Sequence, residues 1–217
     1  MSNEPLTIDV VSDIVCPWCY IGKRRLERAL ALRPDVLVEV RWRPFFLNPW
    51  VPREGISRDE YLTTKFGSVA AYKPMAERVA AAAAQEGLTY AVDKVARQPN
   101  TIDAHRLIRW AHERGNASKM KQRLMELYFR DGADLTDREV LVQAASEAGL
   151  DPEEVRKDLA SERDVAEVEA EAARANQAGI NGVPFFIFGN KLGVSGAQSP
   201  EILASAIDKA LEAAPVA

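Results

Sequence analysis

The chain of 217 residues holds two cysteines, three positions apart in Cys16-Pro17-Trp18-Cys19. Two thiols at that spacing can exchange a disulfide or supply half of a zinc site. Disulfide exchange needs a thiolate, because the thiolate is the attacking species. A thiol at a helix N-terminus meets unpaired N–H groups and the positive end of the macrodipole, and its pKa of about 8.5 falls to roughly 3.5–7.5. A helical pattern begins near Cys16, which makes Cys16 the expected nucleophile. Cys19 follows one turn later on the same face, deeper, where a resolving thiol belongs. Pro17 costs nothing in a first turn, whose N–H groups have no helical partner. Zinc would need two further ligands. The chain has only His105 and His112, seven apart and outside finger spacing, so no metal is expected. Two inert helix cysteines are the bland alternative, and Pro17 at a strand-to-helix turn argues against it.

A second feature is Gly182-Val183-Pro184-Phe185. Proline is acceptable as the first residue of a strand, so an ordinary trans proline opening a strand is one reading. A cis bond before Pro184 is the other. It would turn backbone groups of Val183 outward beside the dithiol, where a substrate segment could pair with them.

The elements that must hold these residues are marked along the chain. Leu6–Val11 is a short β-rich run, the helix from Cys16 reaches about Leu32, and Pro34 ends it. Val36–Leu47 alternates as a strand, giving a βαβ unit with a right-handed crossover. From Ser57 to Gly179 the pattern is almost wholly helical. Ser57 with Glu60 and Thr136 with Glu139 fit capping boxes, while Asp151-Pro152 and Ser199-Pro200 fit helix starts. Gly87, Gly115, Gly149 and Gly179 each close a helical run. Pro184–Phe188, the tight-turn pair Gly189-Asn190 and Lys191–Val194 make a hairpin, and a last helix runs from Ser199 to about Ala213. The expected fold is α/β: βαβ, a large all-helical insertion, then ββα. We expect the first half of a domain over 1–50, the insertion over 51–179 and the second half over 180–217. Neither half could bury its apolar faces alone.

Composition narrows the function. The chain is 47% hydrophobic and 28% charged, with net charge −4 and no basic helix stripe, so nucleic acid is not expected as a partner. Apolar runs fall short of a membrane span. Met1–Thr7 is polar and lacks a basic signal region, so a cytoplasmic protein is expected. No glycine-rich phosphate loop is visible, and no cofactor is expected. His105 and His112 read alone as partly exposed helix residues, and Asn100 and Thr101 as caps for the helix that follows. Trp42, Phe45, Phe46 and Trp50 read as core and junction packing, and Trp18 as packing against the insertion.

Taken together, Asp13, Cys16-Pro17-Trp18-Cys19-Tyr20-Ile21-Gly22, Asn100-Thr101, Ala104-His105, Gly182-Val183-Pro184-Phe185-Phe186 and Ser195-Gly196-Ala197-Gln198 resemble the DsbA-like thioredoxin-fold oxidoreductases. More narrowly, they resemble the FrnE-like branch. The resemblance spans essentially the whole chain, in the family's order. It implies a thioredoxin-like fold and thiol–disulfide exchange, with Cys16 as nucleophile, Cys19 as resolving thiol and Pro184 as cis-proline. It also implies that the insertion roofs the site, with Asn100 and His105 toward the cleft and Val183 facing substrate. Pro17 and Trp18 would tune the redox poise, and the uncharged Trp18 points to a reductase or isomerase rather than an extreme oxidant. The related kappa-class glutathione transferases and 2-hydroxychromene-2-carboxylate isomerases carry Ser where Cys16 stands and lack the second thiol. Their likeness leaves two other readings: a glutathione-dependent transferase or isomerase, and a non-catalytic client-binding module. The turn Ser195–Gln198 precedes a helix N-terminus, so Gly196 and Gln198 are candidates to receive a carboxylate such as that of glutathione. Its plainer reading is a strand exit with a Ser199 cap. Expected partners are protein or low-molecular-weight disulfides and thiols, with glutathione a candidate co-substrate, acting on a monomer or homodimer.

Overall fold

The structure, a computed structural model, describes residues 4–212. Four strands form its main sheet: β1 (Leu6–Ser12), β2 (Val38–Pro44), β5 (Phe185–Phe188) and β6 (Leu192–Ser195), in the order β2-β1-β5-β6. β1 runs parallel to β2, and β5 is antiparallel to both β1 and β6. The period of two decides the faces. Ile8 and Val10 of β1 and Phe186 and Phe188 of β5 share one side. There they meet Leu26 of α1 (Pro17–Ala31) and Leu203 and Ile207 of α9 (Pro200–Glu212). Val11, Phe185 and Ile187 face the other way, with Phe45 and Ile180. Gly189 and Asn190 close the hairpin with φ of 57° and 58°, the left-handed pair of a type I′ turn.

Between β2 and β5 lie seven helices: α2 (Arg58–Phe66), α3 (Val69–Gln85), α4 (Ile102–His112), α5 (Ala117–Glu126), α6 (Arg138–Glu147), α7 (Pro152–Leu159) and α8 (Val165–Gln177). Their core is continuous with the N-terminal end of α1: Cys16, Cys19, Tyr20 and Ile21 pack in one cluster with Leu107, Met120, Leu124 and Phe129. Tyr20 stacks on Phe129 with ring centroids 5.3 Å apart. Arg106, fully buried in α4, donates to the carbonyls of Asp158, Ser161 and Arg163, and so ties α4 to the α7–α8 connection.

Several expected features take a different form. The region read as helical also contains a two-stranded sheet, β3 (Ile56–Ser57) with β4 (Arg97–Gln98), and a π-helical turn over Leu127–Asp131. Two-residue strands carry too little periodicity to be read from sequence. The Thr136–Glu139 box does not form. Asp137 is the cap, accepting from the Glu139 N–H at 2.9 Å, while Thr136 donates its hydroxyl to Asp134 at 2.7 Å. An aspartate next to the helix offers a charged acceptor, which outcompetes the threonine hydroxyl. Ser57 and Asp151 do cap their helices. β2 spans Val38–Pro44, shorter than the expected Val36–Leu47. Trp50 is 45% exposed and stacks on Tyr61, and Trp18 is 38% exposed, so neither is the packed residue expected. The end expected for the last helix, Ala213, lies outside the described residues.

Gly22 shows why this packing matters for the site. A β-carbon there would fall 2.8 Å from Cγ of Pro184 and 3.3 Å from Cζ of Phe186. The glycine, a weak helix former, allows α1 to approach the Pro184 segment closely. Gly22→Val is therefore expected to lower stability by about 1–3 kcal/mol through overpacking. Denaturant unfolding checks this, and an unchanged midpoint would show that the contact is loose.

Candidate active site

Cys16 is the N-cap of α1, with extended backbone (φ −88°, ψ 113°), and Pro17 occupies the first helical position. Its carbonyl accepts from the N–H groups of Cys19 at 3.0 Å and Tyr20 at 3.2 Å. The Cys16 side chain itself makes no cap hydrogen bond to the first-turn N–H groups. The Cys16 thiol donates to the Val183 carbonyl at 3.5 Å, and the Val183–Pro184 peptide bond is cis. Gly196 N–H in turn donates to the Pro184 carbonyl at 2.8 Å, which fastens the exit of β6 to the same segment. Val183, Pro184 and Gly196 are thus brought together at Cys16.

Both sulfurs are almost enclosed: Cys16 is 3% exposed and Cys19 1%. Burial pushes the Cys19 thiol well above its ordinary value. A hydrogen bond and charge from Cys16 add to this, and Lys121 opposes it. Beneath the dithiol lies Asp13, whose carboxylate accepts from Ile14 N–H at 2.7 Å, Leu47 N–H at 2.8 Å and His105 Nε2 at 3.2 Å. His105 is therefore buried, not partly exposed as expected, because Asp13 gives its ring a partner inside the core. Burial lowers its pKa, against the raising influence of Asp13.

Asn100 and Gln198 have other engagements. The Asn100 side chain accepts from Ile102 N–H at 3.0 Å and donates to the Val51 carbonyl at 2.8 Å, the capping role of its simpler reading. It lines a cleft of about 310 Å³ with Phe46, Asn48 and Asn176, and neither cysteine is among the lining residues. Thr101 starts α4 without a side-chain cap bond. The Gln198 amide donates to Ser195 within its own turn at 2.8 Å, and Arg25 holds the Ala197 carbonyl there at 2.6 Å.

Two lysines that sequence reasoning missed face the dithiol from the insertion. Lys65 of α2 bonds to Asn48, and its lowered pKa, caused by burial, is opposed by the charges of Cys16 and Asp13. Lys121 of α5 is wholly buried, and burial brings it down to about 8. A signal existed: Lys121 shares the helix stripe of Ala117 and Leu124, four before and three after, and both are buried.

A helix that opens on Cys-x-x-Cys, rising from the central strand of a four-stranded sheet and facing a proline bond before the neighbouring strand, defines a thioredoxin-type site. Comparison with known proteins agrees. A profile of the DSBA-like thioredoxin domain matches residues 7–208, and the chain belongs to that family. It is 28% identical to the uncharacterized protein YwbO of Bacillus subtilis (strain 168) over 202 residues, 92% of this chain and 94% of that one. Among solved structures it resembles a probable DsbA oxidoreductase from Streptomyces coelicolor, with 38% identity and a TM-score of 0.87, covering 96% of this chain and 91% of the other. It also shares the fold of the cytosolic disulfide reductase DsbM from Pseudomonas aeruginosa, determined with GSH. There the identity is 18% and the TM-score 0.66, covering 95% of this chain and all of the other. The protein is an enzyme of the thiol–disulfide oxidoreductase kind. Among the described residues no helix is long and apolar enough to cross a membrane.

The Lys121 shift has a consequence for stability. An unfolded lysine titrates near 10.5 and the folded one near 8, so between those values the unfolded chain holds more protons. Stability then rises with pH across that window. Lys121→Met should be more stable than the wild type below about pH 8, with the gap shrinking towards pH 10.5. Denaturant unfolding across this range measures it, and a constant gap would contradict the buried-ammonium account.

Proposed function

We propose that the protein exchanges disulfides through the Cys16–Cys19 dithiol, as a FrnE-like member of its family. The observation that carries this reading is the Cys16 sulfur at the α1 N-terminus, 3.5 Å from the Val183 carbonyl beside a cis Pro184. Cys16 as thiolate attacks one sulfur of a disulfide, forming a mixed disulfide, and the first thiol leaves with the electron pair and takes up a proton. Cys19 then attacks Cys16, the second thiol leaves, and the dithiol ends as a disulfide while the substrate has gained two electrons and two protons. The backbone of Val183 pairs with the substrate segment, and Pro17 and Trp18 set the poise. Asn100 and His105 shape the surroundings from the insertion rather than reacting.

The uncharged Trp18 supports a reductase or isomerase acting on protein or low-molecular-weight disulfides in the cytoplasm. The DsbM likeness supports glutathione as a co-substrate that restores the dithiol, received near Gly196 and Gln198. No metal or other cofactor is needed. Segments 1–50 and 180–217 would form the thioredoxin-like domain, interrupted by 51–179.

Cys16→Ser should lose all measurable disulfide reduction. Cys19→Ala should accumulate a mixed disulfide through Cys16, seen by mass spectrometry as one adduct per chain. Full activity in both variants would refute dithiol exchange. Activity that requires glutathione and survives Cys19→Ala would instead identify a transferase.

A further inference from the structure

Lys121 is a charge that the scheme above does not use. Its Nζ is buried and has no hydrogen-bond partner among the described residues. It sits over the Trp42 ring of β2, 5.3 Å from the centroid, a contact that favours a cation. From α1 it faces Cys19, Cys16 and Lys23; from the β1–α1 turn it faces Asp13; from α4 it faces His105. Cys19, Asp13 and Cys16 each favour its charged form. Lys23 is paired with Glu27, and both Asp13 oxygens already accept bonds. The negative charge left for Lys121 is the one that appears on Cys19 when it ionises.

A buried, unpartnered ammonium is costly to folding, and an apolar side chain of similar length would remove the cost. A site that keeps such a group has departed from the local rule for stability. We propose that Lys121 is a positioning residue for the resolving step, holding Cys19 as a thiolate while it attacks the mixed disulfide. The inference rests on the dithiol-exchange reading. With Cys16 bonded to substrate, Cys19 gives its proton to solvent and its thiolate is held by the Lys121 ammonium. Cys19 then forms its bond to Cys16, the bond from Cys16 to the substrate sulfur breaks, and that sulfur leaves with the electron pair and is protonated by water.

The test mixes reduced protein with an aromatic disulfide whose released thiolate is coloured. Attack by Cys16 releases the first coloured thiolate, and resolution by Cys19 releases the second. In Lys121→Met the first phase should stay within about threefold of wild type while the second slows by about tenfold or more near neutral pH, one pKa unit being a factor of ten. Lys121→Arg should restore most of the second phase by restoring the charge. The wild-type second phase should lose its advantage over Lys121→Met above about pH 8, where Lys121 gives up its charge. In a Cys16→Ser background, thiolate absorbance of Cys19 should appear at higher pH once Lys121 is Met. A folded Lys121→Met protein with both phases unchanged, or both slowed equally, would overturn the inference. So would a Cys19 titration that does not move. Wild-type protein that releases no coloured thiolate would instead defeat the exchange reading itself.

Discussion

The antiparallel pairing of β1 with β5 is the constraint on which the site depends. β1 leads directly into Cys16, and Pro184 immediately precedes β5. In the register Val11↔Phe185 and Ile8↔Phe188, the end of one strand lies beside the start of the other. The Cys16 and Pro184 segments therefore emerge at the same end of the sheet, although the whole insertion separates them in sequence. Closing so long an excursion is tolerable because loop entropy grows only with the logarithm of length. The shared face of Ile8, Val10, Phe186 and Phe188 over α1 and α9 supplies the apolar burial that fixes the register. A slip of one residue would turn those side chains to the opposite face.

The insertion makes the dithiol a buried site. Its core runs without interruption into the first turn of α1, so Cys19 senses a medium of low polarity, as do His105 and Lys121. Burial moves all three titrations in the direction that disfavours charge. Three donors surround the Asp13 carboxylate. It anchors the β1–α1 turn to Leu47 and to α4, joining the sheet and the insertion exactly where the thiols sit.

The outline of the fold was legible because its signals are local. Proline at a first turn, glycines closing helices and the Gly189-Asn190 turn all act within a few residues, and each appears where its chemistry requires. The Cys16 and Pro184 segments were legible for the same reason. The features that were not legible depend on partners distant in sequence. His105 reads as an ordinary helix residue until Asp13, 92 positions away, is placed against it. β3 and β4 exist only because two short segments meet. Lys121 lay in view on a buried stripe, but its unpartnered amine over the Trp42 ring, 79 positions away in sequence, shows only in the fold.

Exposure does not distinguish the two thiols, since both are nearly enclosed. What distinguishes them is what each sulfur faces. Cys16 points at the Val183 carbonyl, a backbone group next to the surface that a substrate strand can engage. Cys19 lies in the core of the insertion with Met120 and Leu124, the neighbours of Lys121 in α5. In the proposed exchange the first attack would open the thiol–carbonyl contact of Cys16, with substrate backbone approaching Val183. The proposed second attack would create a charge in the interior, where solvent cannot stabilise it and a fixed cation can. In the proposed scheme the order of the two attacks would follow from this asymmetry: the outer thiol answers to the substrate, and the inner one to the protein.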